Sequence, residues 1–210
     1  DVAAAAQFAR ELPRHFTAVQ ERAQATTRHG KLLRLEPHVL GRQVMVNFCF
    51  FTGDAQGMNM IVKAADQGCR WLVEHTPARR YHVFSGQSSE KRASAFLLPG
   101  GKGKKVTAGA LLPASIARAY LHAGPEQLHD VWQHTLMGHV QAGALGYNAH
   151  LANGLAALFI ACGQDVANVA NAAVGITHYE LTEEGDLYAS LTLPALTVAT
   201  VGGGTGQGTG

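Results

Sequence analysis

TGDAQGMNM, residues 52–60, stands between an apolar alternating run and a run with helical spacing. Before it, VMVNFCF (44–50) places Val44, Val46, Phe48 and Phe50 on one face of a strand. After it, Met58, Ile61, Val62, Ala65, Cys69 and Leu72 recur along one face of a helix. The stretch is therefore a strand-to-helix junction, the place where proteins that mix strands and helices tend to hold phosphates. Gly53 and Gly57 let backbone N–H groups come close to a ligand, and a helix starting near Met58 directs its positive end there. Asn59 offers an amide, and Asp54 offers either an acceptor for a ribose hydroxyl or a cap for the helix. Neither standard phosphate-loop pattern is present, since there is no G-x-G-x-x-G and no glycine at the Walker spacing from a Gly-Lys pair. On spacing alone, a capped turn that holds no ligand is the commoner origin of such a stretch.

The 210 residues suit one large domain or two small ones. With 47% hydrophobic and 15% charged residues the chain is globular rather than disordered. A net charge of +2 gives no reason to expect a nucleic-acid partner. No apolar run is long enough to span a bilayer and nothing reads as a signal peptide. The chain begins at Asp1 and is expected to be a fragment or a processed piece. Cys49, Cys69 and Cys162 are odd in number and widely spaced, so they are read as reduced, partly buried thiols of a cytoplasmic protein.

Working outward, residues 1–28 read as helix interrupted at Pro13. RYHVFSG (80–86) reads as a short strand entering a loop, GGKGKK (100–105) as a tight basic turn, and VTAGALL (106–112) as a strand, with Pro113 opening a helix. Further helices are expected around ASIARAYLHA, PEQLHDVWQHTL and NAHLANGLAALFIACG, the last apolar all round and hence buried. THYELTEEGDLYASLTLPAL has the alternation and the Gly turn of a hairpin. Strands and helices do not simply alternate, which makes the class α+β.

Three further groups carry candidate chemistry. SGQSSEKR (85–92) sets two cations beside an acid among small polar residues, suited to polarising a carbonyl or holding a carboxylate, though an exposed charged loop is the simpler account. The apolar helix that carries His150 and Asn153 near its start ends at Gly163, with Asp165 just beyond. A carboxylate is disfavoured at a helix C-terminus, so Asp165 points to a cationic partner or to a satisfied loop acid, and neither is preferred. His129, His134 and His139 are five apart and do not stack as ligands on one helical face, so no metal site is expected. There is no G-x-S-x-G elbow for a serine hydrolase.

Taken in order, TGDAQGMNM, the SG and EKR of 85–92, AGALGYNAHLAN, FIACGQD and ATVGGGT resemble the hydroxymethylglutaryl-CoA reductase family from about Gly41 to Thr205. The resemblance implies an α+β fold with a small ferredoxin-like nucleotide-binding domain (1–84) and part of a larger helix-rich acyl-CoA-binding catalytic domain (85–210). It implies an oxidoreductase that converts 3-hydroxy-3-methylglutaryl-CoA to mevalonate with NADPH or NADH, in the mevalonate route to isoprenoids. It also implies a homodimer or higher homo-oligomer with the active site at the interface. Asp54, Ala55, Gln56, Gly57, Met58 and Asn59 match the cofactor signature D-A-M-G-M-N, with Gln56 in place of its first Met. Gly202, Gly203 and Gly204 match the glycine stretch near the nucleotide, where the family's GTV has become ATV.

Glu90, Lys91 and Arg92 match the D-K-K segment. Lys91 would stabilise the oxyanion, Asp165 of G-Q-D would be its partner, and Asn153 the supporting catalytic asparagine. Ser85, Glu90, Arg92 and His150 would lie on the substrate side. His134 falls where the family has a lysine that meets the substrate carboxylate, and one glycine fewer precedes Tyr147. The family's catalytic glutamate lies upstream of Asp1 and its catalytic histidine beyond Gly210. The departures leave two alternatives: a related reductase on another acyl-CoA, or a non-catalytic homologue without the terminal catalytic segments.

Overall fold

The computed structural model describes residues 1–83 and 93–201. The chain divides into two compact units, Asp1–Ser88 with Thr200–Gly202, and Ser89–Ala199 with Gly203–Gly210. Both mix helices with a small antiparallel sheet, so the α+β class holds.

In the first unit, α1 (Val2–Glu11) begins with Asp1, whose side chain accepts from Ala4 N at 2.8 Å. Pro13 does not end the helical path. It sits at the start of a 3-10 turn (Leu12–His15), where its missing N–H costs nothing, and α2 (Phe16–Gln24) follows directly. Strands β1 (Lys31–Leu40) and β2 (Gln43–Phe51) form an antiparallel ribbon closed by Gly41 and Arg42. The expected face of β2 is correct: Val46, Phe48 and Phe50 pack on the core made by Leu12, Val19, Ala23, Leu32, Ala64 and Leu72.

Helix α3 (Met58–His75) starts where its periodicity placed it, but its buried stripe is rotated to Ala64, Gly68 and Leu72. Val62, read as inward, is 46% exposed. Beyond α3, residues 81–83 form no strand, contrary to the reading of RYHVFSG. Tyr81 is instead held back against α3 by a 2.6 Å hydrogen bond from its hydroxyl to Asp66.

The second unit is built on a three-stranded sheet in the order β3 (Lys104–Leu112), β5 (Leu187–Leu196), β4 (Ile176–Leu181). The expected strand after the basic turn and the expected hairpin are both present. Pro113 caps a short α4 (Ala114–Ile116) that runs on as a π-turn to Leu121. Helix α5 (Pro125–Ala142) has Pro125 in its first turn and ends at Gly143 in the left-handed region. It is tied to β4 by Trp132 Nε1 donating to Thr177 O at 2.8 Å.

Helix α6 (Leu151–Ala161) buries Leu155 and Phe159 but leaves Leu158 and Ile160 52% and 68% exposed, so among the described residues it is covered on one side only. Its buried face joins Ala172 of α7 (Val169–Ala172) and Leu193 of β5 in the main core.

Candidate functional site

The turn between β2 and α3 is fixed by contacts of three kinds. Thr52 Oγ1 donates to Ala55 O at 2.7 Å across the bend. Gly57 caps α3 at φ 66°, a left-handed conformation that side chains rarely adopt. A Cβ there would lie 2.9 Å from both Met60 Cε and Thr52 Cγ2, so an alanine would add side-chain crowding to the strain of the left-handed backbone. The third contact comes from far along the sequence. Thr200 N donates to Asp54 O at 3.2 Å, and Val201 forms a parallel bridge with Ala55. The segment leading into the glycine stretch is thus paired with the turn that carries Asp54–Asn59.

This geometry corrects one expectation. Asp54 does not cap α3; that place belongs to Gly57, which has no side chain to cap with. The first intrahelical bond runs from Ile61 N to Gly57 O, so the N-terminus of α3, the end of a helix that attracts anions, lies at this turn. Asp54 and Asn59 are exposed beside it. Gln56 is half-buried, and its Nε2 is shielded from solvent with no hydrogen-bond partner.

A second flank of the site was invisible to sequence reading. Thr27, in the turn after α2, donates from Oγ1 to Met60 Sδ at 2.7 Å and accepts from Gly30 N at 3.0 Å. Arg28 and His29 follow it and are exposed, so two basic side chains stand on the turn that touches the first turn of α3. Only the 33-residue contact between Thr27 and Met60 reveals this.

In the second unit, Asp165 caps the 3-10 turn Val166–Asn168, accepting from Ala167 N at 3.0 Å, and is half-buried. Its neighbour Gln164 is buried, and its carboxamide binds both backbone groups of Ala199. Nε2 donates to Ala199 O at 2.8 Å and Oε1 accepts from Ala199 N at 2.9 Å. The G-Q-D segment is thereby fixed to the strand end that precedes the glycine stretch. The sequence reading gave Gln164 no role; a glutamine beside a candidate acid in an apolar setting was the available signal.

His150 and Asn153 lie together at the start of α6, His150 Nδ1 and Asn153 Nδ2 being 3.4 Å apart, and both are exposed. His134 is exposed on α5, with Nδ1 2.8 Å from Asp130 O and 3.4 Å from the Asp130 carboxylate. Ser85, Glu90, Lys91, Arg92, Gly202, Gly203 and Gly204 lie outside the described residues.

Of the thiols, Cys69 is pushed up to about 11 by burial and Cys49 is raised for the same reason, which makes both poor nucleophiles. Cys162 is exposed, not partly buried as read from sequence.

The residues present fit a dinucleotide. The N-terminus of a long helix lies at the turn, a left-handed glycine caps it, and a shielded amide beside it has no hydrogen-bond partner among the described residues.

The family model described as hydroxymethylglutaryl-coenzyme A reductase matches residues 1–209. A 3-hydroxy-3-methylglutaryl-coenzyme A reductase of Pyrococcus abyssi is 40% identical over 204 residues, which cover 96% of this chain and 50% of that protein. The protein of that name from Haloferax volcanii is 39% identical over 91% of this chain and 47% of its own length. One from Xenopus laevis is 38% identical over 90% of this chain and 22% of its own. The chain thus spans about half the length of the Pyrococcus and Haloferax relatives. With motifs, turn geometry and a match over nearly every residue in agreement, the chain belongs to the hydroxymethylglutaryl-coenzyme A reductase family.

Proposed function

We propose that the protein of which this chain is part reduces 3-hydroxy-3-methylglutaryl-CoA to mevalonate and free CoA, in the mevalonate route to isoprenoids, at the expense of two reduced nicotinamide dinucleotides and two protons. The observation that carries this reading is the pairing of Asp54 and Ala55 with Thr200 and Val201, which brings two family motifs together at one helix end.

In this reading residues 1–84 form a ferredoxin-like cofactor domain and residues 85–210 belong to the acyl-CoA domain. The bound dinucleotide supplies the hydrides. The N-terminus of α3 and the backbone around Gly57 hold its phosphates, and Asp54 accepts from a ribose hydroxyl. Arg28, which follows Thr27 on the turn bonded to Met60, favours NADPH over NADH, because a 2′-phosphate needs a cation.

Lys91 places a cation against the carbonyl oxygen that becomes an alkoxide, and Asp165 offsets the cost of keeping that cation out of water. Asn153 supports this pair, while Ser85, Glu90, Arg92 and His150 hold the acyl part. The active form is a homodimer or higher homo-oligomer, and its place is the cytoplasm.

His134 favours a second reading, a related reductase for another acyl-CoA. Its ring is engaged by Asp130, where the family has a lysine for the substrate carboxylate.

The test is an acyl-CoA-dependent oxidation assay on full-length protein with NADPH and NADH. Turnover with hydroxymethylglutaryl-CoA and a preference for NADPH are expected. Lys91→Ala and Asp165→Asn should each lower turnover at least about 100-fold, a loss of the size seen on removing one stabiliser of a developing oxyanion, with dinucleotide affinity unchanged. Turnover only with a different acyl-CoA would establish the second reading instead.

A further inference from the structure

Gln56 is the one position at which the cofactor signature departs from the family's D-A-M-G-M-N. Methionine asks nothing of its neighbours beyond packing, whereas a carboxamide brings a donor and an acceptor that must be paired. Here the donor is not. Nε2 is shielded from water and has no hydrogen-bond partner among the described residues, although the residue as a whole is only half-buried. A shielded donor without a partner destabilises the protein, and such groups stand out from the general rule that buried polar atoms are satisfied. Its place is specific. Gln56 sits between Ala55, which is paired with Val201, and Gly57, the N-cap of α3.

We propose that Gln56 is a cofactor-binding residue in its own right, whose Nε2 donates a hydrogen bond to a diphosphate oxygen of the bound dinucleotide. This contact has no counterpart where methionine occupies the position. The proposal rests on reading the 52–60 turn as the cofactor site. The diphosphate is the acceptor because the residue directly precedes the N-terminus of an 18-residue helix, where anionic oxygens are stabilised. In the free protein the amide is a source of instability that the ligand relieves.

The role gives effects of opposite sign, which simple packing does not. Gln56→Met in the full-length protein removes the unpaired donor, so the ligand-free protein should melt at the same temperature as wild type or a few degrees higher. The same variant should bind NADPH roughly ten- to hundredfold more weakly, the range expected for one lost hydrogen bond to a charged acceptor. Binding is read by protein-to-nicotinamide fluorescence transfer and by calorimetry, independently of turnover. Calorimetry with 2′-phospho-ADP-ribose, which lacks the nicotinamide, should show the same loss.

Equal or tighter NADPH binding by Gln56→Met overturns the inference, as does a loss seen only with the intact dinucleotide. A variant that melts well below wild type and binds more weakly would show a packing role and overturn it as well. If wild-type protein binds no dinucleotide, the cofactor reading itself fails and takes this inference with it. Binding by wild type matched by the variant removes the inference alone.

Discussion

At the scale of single residues, Asp66 shows how one carboxylate can pin a stretch of chain. It accepts from Tyr81 Oη at 2.6 Å, a residue 15 positions on, and from Arg70 Nε at 2.9 Å one turn along α3. The Tyr81 hydroxyl, foremost, and the Arg70 cation hold the Asp66 carboxyl below its ordinary value of 3.8. The same bond raises the Tyr81 hydroxyl above 10.0. A carboxylate whose folded value is depressed binds protons more readily in the unfolded chain. Its contribution is therefore complete above about 3.8 and is lost as pH falls through the lower folded value. For the raised phenol the sense is reversed: its contribution is present below 10.0 and is lost as pH rises through the higher folded value. Tyr81→Phe should lower the urea midpoint at pH 6–7, with the gap to wild type narrowing below about pH 4 as Asp66 takes up its proton. A gap that stays constant down to pH 2.5 would show that the ring, not the hydrogen bond, makes the contribution.

At the scale of elements, the join between β3 and β5 is the tightest backbone approach in the second unit's sheet. Gly103, in the turn read from GGKGKK, has φ 111°, and a Cβ there would lie 2.5 Å from Leu196 O and 2.9 Å from Thr197 N. These are backbone atoms at the end of the central strand, and Thr197 is further held by its own bond to Lys102 O at 3.0 Å. Nothing can move aside cheaply. Gly103→Ala should cost the second unit about 2–4 kcal/mol, read as a shift in the urea midpoint of Trp132 fluorescence. A cost below about 0.5 kcal/mol would mean that the turn adopts another conformation in solution.

The elements also show which sequence signals carry structure. β2, α3, β3 and the β4–β5 hairpin were legible because each has a regular period between turn residues. β1 was missed for physical reasons. Pro37 interrupts it, a register shift falls between Leu32 and Arg34, and its outer face carries Arg34, Glu36 and His38. A two-stranded ribbon tolerates the proline because both its strands are edges. In α6, hydrophobicity all round was read as burial, but a second covering layer is a property of other chain segments and not of the helix.

At the scale of the molecule, the order of motifs was legible where the contacts between them were not. The pairing of Asp54 with Thr200 and the two hydrogen bonds between Gln164 and Ala199 join residues far apart in sequence, and no period or spacing encodes such distances. Two consecutive residues, Ala199 and Thr200, bind in different units, one through Gln164 and the other through Asp54. Each unit has its own core, around Val19 and Leu72 in the first and around Phe159 and Leu193 in the second. Each also has one of the chain's 2 tryptophans. Trp71 packs on the first core with His75 stacked on it at 4.4 Å, and Trp132 bonds to β4 in the second.

Single-tryptophan chains therefore report the two cores separately: Trp132→Phe leaves the first unit's reporter, and Trp71→Phe the second's. A ligand that binds only folded protein stabilises what it contacts by about 2.7 kcal/mol at 100 times its Kd. If the dinucleotide site is the turn at Asp54–Asn59, NADPH should raise the urea midpoint reported by Trp71 by a larger free energy than that reported by Trp132. An equal rise at both tryptophans would mean that the units unfold as one cooperative body, and a rise at Trp132 alone would move the cofactor site out of the first unit.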